Sequence, residues 1–415
     1  MRRRDFISMM GGIPFLAKTG NEPEGNSPGH AGGGMEQGGE YGLADTPEKR
    51  RVYTRDLLER LCTDIGPRPT GTAAFARGAE IIRKEMERSL PQVEMDRYSF
   101  ERWELIEEPE FDLGGQYIET YPAHGSEGTP PDGVSGVLEK SGSGFMLVDP
   151  GSGEEKARIT VSQYGRAIPG YRSRTDPPSP VSFGVGKQDL PLLENAVRDK
   201  TPAWLKAWSR FIPDDPGMNV VGRLPGRRKD EILFIAHADT VYSSPGANDN
   251  TASVVIMLML AHAAAGRSFD HTLTFIAADG EEYGQLGAKN YAEKRLSGQT
   301  MEDIRFVVNL DSLTYGPNLW INSEQEEVKS IIRDIHDDLN IRAVPRFGGS
   351  DGFVMDSAPF RPSGAQAMHV NSRGYDEKTL PVYHRPDDHA KDVPLDCAEI
   401  GFRVFDEFIR RADGL

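Results

Sequence analysis

Cysteine is scarce in this chain of 415 residues, which has only Cys62 and Cys397. Two thiols so far apart in sequence cannot form a disulfide framework or a thiolate metal site. We therefore expect buried thiols or, at most, a single bridge between them.

Positive charge is also in short supply, because 48 lysines and arginines stand against 64 aspartates and glutamates, for a net charge of −16. A surface with this balance repels phosphate backbones, so no nucleic-acid partner is expected. Hydrophobic residues make up 37% of the chain, which is enough for a packed core. The composition therefore indicates a globular protein with a well-hydrated surface.

The chain has no run of the roughly 20 apolar residues that a membrane-spanning helix needs. Its beginning, MRRRDFISMMGGIPFLAKTG, resembles a twin-arginine export signal, with Arg3-Arg4 before a short apolar run from Phe6 to Ala17. A glycine-rich stretch from Asn21 to Gly42 follows, as a flexible tether would. We expect residues 1–44 to be leader and tether and the protein to be periplasmic or extracellular, with a cytoplasmic protein as the alternative.

Apolar residues at helical spacing predict helices over Thr46–Leu61 and Ala73–Leu90. From about Phe111 to Ser182 the helical pattern gives way to short strand-like runs among many glycines, prolines and serines, namely GFMLVD, RITVSQY and SPVSFGVG. The stretch from Leu190 to Arg210 then reads as helical.

The length suggests two or three structural units, at about 150 residues per domain. We expect a main domain formed by residues 45–104 and 211–415, interrupted by a small β-rich insert at residues 105–210.

From Asn219 onward, predicted strands and helices alternate. The strands are NVVGRL, ILFIA, TLTFIAA and RFVVNL, and the helices are TASVVIMLMLAHAAA, the stretch after Gly287, Glu324–Leu339 and Leu395–Arg411. This alternation is typical of an α/β fold with a largely parallel sheet. In such sheets the functional residues lie at the carboxyl ends of the strands.

Three of these strands are followed directly by histidine or acidic residues: His237 and Asp239 after ILFIA, Asp279-Gly280-Glu281-Glu282 after TLTFIAA, and Asp311 after RFVVNL. Unpaired carboxylates gathered at one sheet edge are unfavourable unless a cation compensates them. A single acid in such a loop would be interpreted as a helix N-cap. Three in succession, with Asp249 in the first loop, favour a metal cluster.

Coordination chemistry limits the roles. Catalytic zinc takes imidazole nitrogen and carboxylate oxygen and keeps one position open for water, and a pair of metals needs a carboxylate that bridges them. Adjacent Glu281 and Glu282 suit a division in which one binds metal and the other accepts a proton from the attacking water. LPVYHRPDDH offers a second imidazole, His384, with His389 as its close competitor.

Other site types find little support. No G-x-S-x-G nucleophile elbow follows a strand in the right context, and no Walker loop or dinucleotide-binding fingerprint occurs. The histidines that lie elsewhere in the folded part are expected to be structural: His124, His262, His271, His336 and His369.

Taken together, these motifs resemble the co-catalytic di-zinc aminopeptidases and their carboxypeptidase relatives, a family that includes leucyl aminopeptidase, aminopeptidase Y and plasma glutamate carboxypeptidase. The resemblance rests on IGPRPTGT, HADTVYSSPGANDN, DGEEYGQLGA, NLDSL and YH, in that order. It covers the chain from about Glu48 onward and is much weaker over the insert. It implies a three-layer zinc-exopeptidase fold, with a mixed, largely parallel sheet between helices, and an insert like a protease-associated domain.

The resemblance also implies a role for each site residue and a cofactor of two Zn²⁺ ions. Asp249 would bridge the metals, His237 and Asp311 would complete one site, and Glu282 and His384 the other. Glu281 would be the general base that passes a proton to the leaving amine.

Three further positions match the family's pattern. Asp239 would hold the His237 imidazole by its other ring nitrogen, and Tyr383 would steady the oxyanion, with simple packing as the alternative. Ser350-Asp351 matches an SD motif that would support the site, or a plain turn.

The expected function is hydrolysis of a terminal peptide bond of peptide substrates. Aminopeptidase activity is preferred, because an acidic protein suits recognition of a free α-amine, whereas a carboxypeptidase needs Arg or Lys for the α-carboxylate. The alternatives are a carboxypeptidase or dipeptidase of the same family, a single-zinc glutaminyl cyclase of the same fold, and a non-catalytic, receptor-like relative. The last two would lack some of these residues, and none is missing.

Overall fold

The computed structural model describes residues 44–163, 165–171, 180–349, 355–374 and 382–415. The predicted export leader, nearly all of the tether and the Ser350-Asp351 motif lie outside the described residues. Within these ranges, no helix is long and apolar enough to cross a membrane. Cys62 and Cys397 are both buried free thiols, so there is no bridge between them.

The described residues form a mixed α/β fold. The strands are β1 (Gln92–Leu105), β2 (Glu110–Leu113), β3 (Gln116–Tyr117), β4 (Thr120–Pro122), β5 (Val134–Ser141), β6 (Gly144–Val148), β7 (Glu155–Ser162), β8 (Val181–Gly186), β9 (Pro202–Lys206), β10 (Ser209–Leu224), β11 (Glu231–His237), β12 (Thr272–Ala278), β13 (Ile304–Leu310), β14 (Asn318–Asn322), β15 (Arg346–Gly348) and β16 (Gln366–Arg373). The α-helices are α1 (Pro47–Leu58), α2 (Ala73–Glu87), α3 (Leu190–Asp199), α4 (Ala252–Ala264), α5 (Leu286–Ser297), α6 (Glu326–Asp338) and α7 (Leu395–Asp413).

The first sheet has eight strands in the order β1-β10-β12-β11-β13-β16-β14-β15. Its centre is parallel, because β11 runs parallel to both β12 and β13, and β13 runs parallel to β16. Strands β1 and β10 continue the sheet antiparallel on one side, and β14 pairs antiparallel with β16 on the other. The sequence-based prediction of a mixed sheet with a parallel centre is confirmed.

Central parallel strands are covered on both faces, which explains their unbroken apolar sequences. Every residue of β11 is buried. Ile232 and Phe234 lie in one apolar cluster with α4, whereas Leu233 and Ile235 lie in a second cluster with residues of α5. The sequence TASVVIMLMLAHAAA is apolar on all sides because α4 is buried on nearly all sides.

The second sheet also has eight strands, in the order β3-β2-β9-β5-β6-β7-β8-β4. It has an apolar core of its own, which includes Phe111, Phe145 and Phe183 together with Leu193 of α3. The chain leaves the first sheet after Leu105 and re-enters it at Ser209, and these two residues are paired neighbours in the β1–β10 ladder. The strands expected from GFMLVD, RITVSQY and SPVSFGVG are confirmed as β6, β7 and β8.

The helix expected over Leu190–Arg210 is correct only as far as Asp199. Lys200 ends the helix in the left-handed region at φ 50°, and β9 and the start of β10 follow. Along β9 burial alternates with period two, which is the strand pattern that the helical prediction overlooked. The long strand β1 was likewise not predicted.

His124 lies where the second sheet meets the first. Its ring contacts Trp103 and Tyr283, with centroid distances of 4.8 and 3.4 Å. Neither ring nitrogen has a hydrogen-bond partner among the described residues. Burial therefore lowers the pKa of His124 to about 3.

This buried neutral imidazole predicts acid sensitivity. Below pH of about 6.5 the unfolded chain protonates His124 while the folded protein does not, so stability falls from there toward pH 3 by up to about 1.4 kcal/mol per pH unit. We expect His124→Phe to lose about 2 kcal/mol less than the wild type between pH 6 and 4, measured by urea unfolding. His389→Phe, at an exposed position, is the control. An unchanged pH slope in His124→Phe would contradict this account.

Candidate metal centre

The candidate centre lies at the edge of the first sheet where its parallel strands end. His237 is the last residue of β11, Glu281 and Glu282 follow β12, and Asp311 follows β13. Because these strands are parallel neighbours, their carboxyl ends meet at one edge. The expectation that three successive strands deliver their polar residues to the same edge is confirmed.

Asp249 lies between two imidazoles. Its Oδ1 is 3.3 Å from His237 Nε2, and its Oδ2 is 3.4 Å from His384 Nε2. One carboxylate therefore presents a separate oxygen to each histidine, although the two come from loops more than a hundred residues apart in sequence.

Two further acids complete the cluster, one on each side. Asp311 Oδ1 is 3.8 Å from His237 Nε2, and Glu282 Oε2 is 3.1 Å from His384 Nε2. The other oxygen of Glu282, Oε1, is buried and has no hydrogen-bond partner among the described residues. One ligand atom each from His237, Asp249 and Glu282 lie within 4.8 Å of one another.

The loop that carries Asp249 is fixed by Asp388, which follows the His384 turn. The Asp388 carboxylate accepts hydrogen bonds from the backbone N–H groups of Asn248 and Asp249 at 3.0 and 3.2 Å, and from the Asn248 side chain at 2.7 Å. At Gly246, where φ is +64°, a Cβ would come within 2.3 Å of Thr240, so the turn requires glycine. The sequence interpretation of Asp387-Asp388 as an acid cap on this loop therefore applies to Asp388.

Asp239 fixes the neighbouring loop. Its buried carboxylate accepts hydrogen bonds from the backbone N–H groups of Glu281 and Glu282 at 3.1 and 3.2 Å, and from the Thr70 hydroxyl at 3.2 Å. His237 Nδ1 is 3.2 Å from the Asp239 backbone oxygen and 3.6 Å from its carboxylate. Asp239 therefore contacts the imidazole mainly through its main chain, while its side chain holds the Glu281-Glu282 backbone.

Sequence reasoning missed the buried Arg68 in IGPRPTGT. Its guanidinium donates to the backbone oxygens of Leu61, Gly66 and Pro245 and to the Thr251 hydroxyl. It thus joins the first loop of the chain's folded part to the loop that carries Asp249. The only signal was a lone charged residue between two prolines.

The second sheet also reaches these loops. The Tyr242 hydroxyl donates to the Pro122 backbone oxygen at 2.7 Å. Arg166 pairs with Glu119 at 2.7 Å and with Asp387, beside the His384 turn, at 3.2 Å.

The carboxylates and imidazoles strongly perturb one another. Burial opposes protonation of His237, but hydrogen bonds with Asp239, Asp249 and Asp311 outweigh it and raise its pKa well above the usual value. Burial likewise opposes protonation of His384, and Glu282 and Asp249 raise its pKa. Burial raises the pKa of Glu281, although His237 opposes this effect. Such a crowd of buried acids is typical of a cation site.

A cavity of about 230 Å³ opens onto the cluster. All five predicted metal ligands and Glu281 line it. Tyr383 also lines it and stacks on His384, with ring centroids 3.8 Å apart. Asp239 is not among the lining residues, and His389 is exposed and does not line the cavity.

Sequence reasoning assigned a purely structural place to His369, yet it lines the same cavity. Its Nδ1 is 3.2 Å from Asn309 Oδ1, and burial lowers its pKa to about 4. Further lining residues were not singled out from the sequence at all: Tyr315, Met355, Asn371 and Arg373. Most of them come from β16 and its neighbours, which carry no strong local motif.

The fold and the cluster define an α/β protein with a candidate metal centre at the carboxyl edge of its sheet. Comparison with solved structures supports this fold. BSAP, a zinc aminopeptidase from Bacillus subtilis, matches with a TM-score of 0.71 at 21% identity, covering 87% of this chain and 94% of that one. A peptidase M28 precursor from Shewanella amazonensis matches with a TM-score of 0.72 at 15% identity, covering 89% and 95%.

Residues 219–405 match the model of peptidase family M28, and by this match the chain is a member of that family. It is also homologous to aminopeptidase YwaD of Bacillus subtilis, with 24% identity over 371 residues that cover 82% of this chain and 80% of the relative. The resemblance identified from the sequence motifs is thereby confirmed.

Proposed function

We propose that this protein is a two-zinc aminopeptidase that hydrolyses the N-terminal bond of peptides, with Glu281 as the general base. The observation that carries the proposal is Asp249, whose two oxygens each face a different imidazole. The printed function of the relative YwaD, an aminopeptidase, supports the choice of reaction.

The donor set fits two divalent ions. His237 with Asp311, and His384 with Glu282, form two groups that share Asp249, and nitrogen and oxygen donors of this kind suit zinc. The buried, unpartnered Oε1 of Glu282 is a further sign that the cluster is built around cations. When bound, the ions would act as Lewis acids toward the scissile carbonyl and the attacking water.

Glu281 is the acid that these groups leave unused. It lines the cavity beside the proposed ligands, and its backbone is held by Asp239. Because burial raises its pKa, its carboxylate accepts a proton more readily than an exposed glutamate does. In the proposed reaction Glu281 takes a proton from the attacking water and delivers it to the departing amine.

Tyr383 is proposed to donate a hydrogen bond to the developing oxyanion. It lines the cavity and is oriented by its stacking on His384. Burial, reinforced by Asp249 and Glu282, raises its pKa, so the phenol keeps its proton at neutral pH and remains a donor.

The wider architecture belongs to the same proposal. Helices packed against both faces of the first sheet support a three-layer zinc-exopeptidase fold in residues 45–104 and 211–415. The second sheet supports an insert at residues 105–210 that resembles a protease-associated domain. Export through the N-terminal leader remains a prediction from the sequence.

The deciding experiment measures hydrolysis of leucine p-nitroanilide and of its N-acetylated form, with zinc and with a chelator. An aminopeptidase cleaves only the free-amine substrate, and chelation abolishes cleavage. Preference for N-blocked peptides with a free C-terminus would instead establish the carboxypeptidase alternative. Zinc binding without cleavage of any of these substrates would favour a non-catalytic relative.

A further inference from the structure

Arg373 is the only lysine or arginine among the described residues that line the cavity. It is the last residue of β16, and His369, Asn371 and Arg373 all line the cavity. Alternate residues of a strand share a face, so this row leads from the cluster to the guanidinium.

The guanidinium of Arg373 is held in place on this face. Trp320 of β14 lies directly opposite Asn371 in the antiparallel ladder, and the Arg373 guanidinium lies over its ring, 5.5 Å from the centroid. Nη1 also donates to the Ser372 backbone oxygen at 3.0 Å. These two contacts restrict the side chain without neutralising its charge.

Within the described ranges Arg373 makes no salt bridge. Other half-buried and buried arginines do, such as Arg295 with Glu231 at 2.7 Å and Arg50 with Glu399 at 2.5 Å. A guanidinium left without a carboxylate at the wall of a cavity is suited to bind one from outside, because its paired N–H groups match the two carboxylate oxygens.

The strand register gives the distance scale. The Asp311 N–H donates to the Val370 oxygen at 2.9 Å, so Asp311 is level with the middle of β16, and Arg373 lies three residues beyond Val370. At about 3.3 Å per residue, that is roughly 10 Å further along the strand. An extended peptide covers that distance in about three residues.

We propose that Arg373 binds a substrate carboxylate, so that the protein prefers short peptides with an anionic group within about three residues of the scissile bond. This inference rests on the proposed peptidase function and specifies its substrate class. The carboxylate has two sources, which are the C-terminal carboxylate of a dipeptide or tripeptide and the side chain of an acidic residue.

The test uses the zinc-loaded full chain and two matched substrate pairs. Leucyl-glycine against leucyl-glycinamide tests the C-terminal carboxylate, and glutamate against glutamine p-nitroanilide tests the side chain. We expect the wild type to prefer the anionic member of one pair, with the preference expressed in KM. We expect Arg373→Gln to reduce that kcat/KM ratio by about 10- to 100-fold, and Arg373→Lys to restore part of it.

Arg333→Gln is the matched control, because Arg333 also lies over an aromatic ring, that of Phe347 at 4.9 Å, but does not line the cavity. Its ratios should equal those of the wild type. The inference is overturned if the wild type prefers the neutral member of both pairs, or if Arg373→Gln lowers both members of each pair equally. Hydrolysis of leucyl-glycinamide by the wild type reports on the peptidase function itself, and its absence together with absence of all other turnover would overturn both proposals.

Discussion

Glu281→Gln is expected to lower kcat by roughly 10²- to 10⁴-fold while zinc stays bound. Glutamine keeps the shape of the side chain but cannot take a proton from water. Metal content should be retained because Glu281 is outside the two groups of ligands that share Asp249. The measurement combines kcat on leucine p-nitroanilide with zinc content by mass spectrometry.

Glu293→Gln provides the matched control, since Glu293 is an exposed glutamate on α5. It should leave both kcat and zinc content unchanged. Full activity of Glu281→Gln with metal bound would show that another group is the base. Loss of zinc in this variant would mean that Glu281 is a ligand instead.

Asp249→Asn is expected to reduce zinc content from about two ions per chain to one or none and to abolish activity. The amide is neutral and cannot bridge two cations as a carboxylate does. It also leaves His237 and His384 without the acid that lies between them. Metal content after dialysis, measured against activity, tests this expectation.

Asp311→Asn serves as the graded comparison, because Asp311 contacts only the His237 side of the cluster and should lose the ion on that side. Asp270→Asn, far from the cavity and paired with Arg227, should keep both ions. Two tightly bound ions in Asp249→Asn would disprove its bridging role. Uniform unfolding of the variant, visible by circular dichroism, would point to a role in folding alone.

The residues of the cluster could be predicted because their signal is local. His237, Glu282 and Asp311 each lie within a few residues of the end of a strongly apolar strand, and parallel strands bring those ends together. His384 could be preferred to His389 only through the resemblance to a known motif, since both histidines lie in the same short polar segment. The structure agrees with that preference, because His389 is exposed.

The wall of the cavity could not be predicted in the same way. Strand β16, QAMHVNSR, has a mixed composition, and its place beside β13 depends on residues about 60 positions earlier in the chain. His369 and Arg373 therefore gain their position from tertiary pairing alone. For the same reason TPAWLKAWSR, which contains Trp204, was mistaken for helix: its strand pairs with β2 and β5, and neither is adjacent in sequence.

The junction at Leu105 and Ser209 makes the second sheet a module. Because these residues face each other at the end of an antiparallel ladder, a two-residue hairpin turn can close the gap if everything between them is removed. The order of strands in the first sheet would survive such an excision, and so would the five proposed ligands. What would be lost are the contacts of Pro122 with Tyr242 and of Arg166 with Asp387, so the shortened protein separates the making of the catalytic centre from the shaping of its entrance.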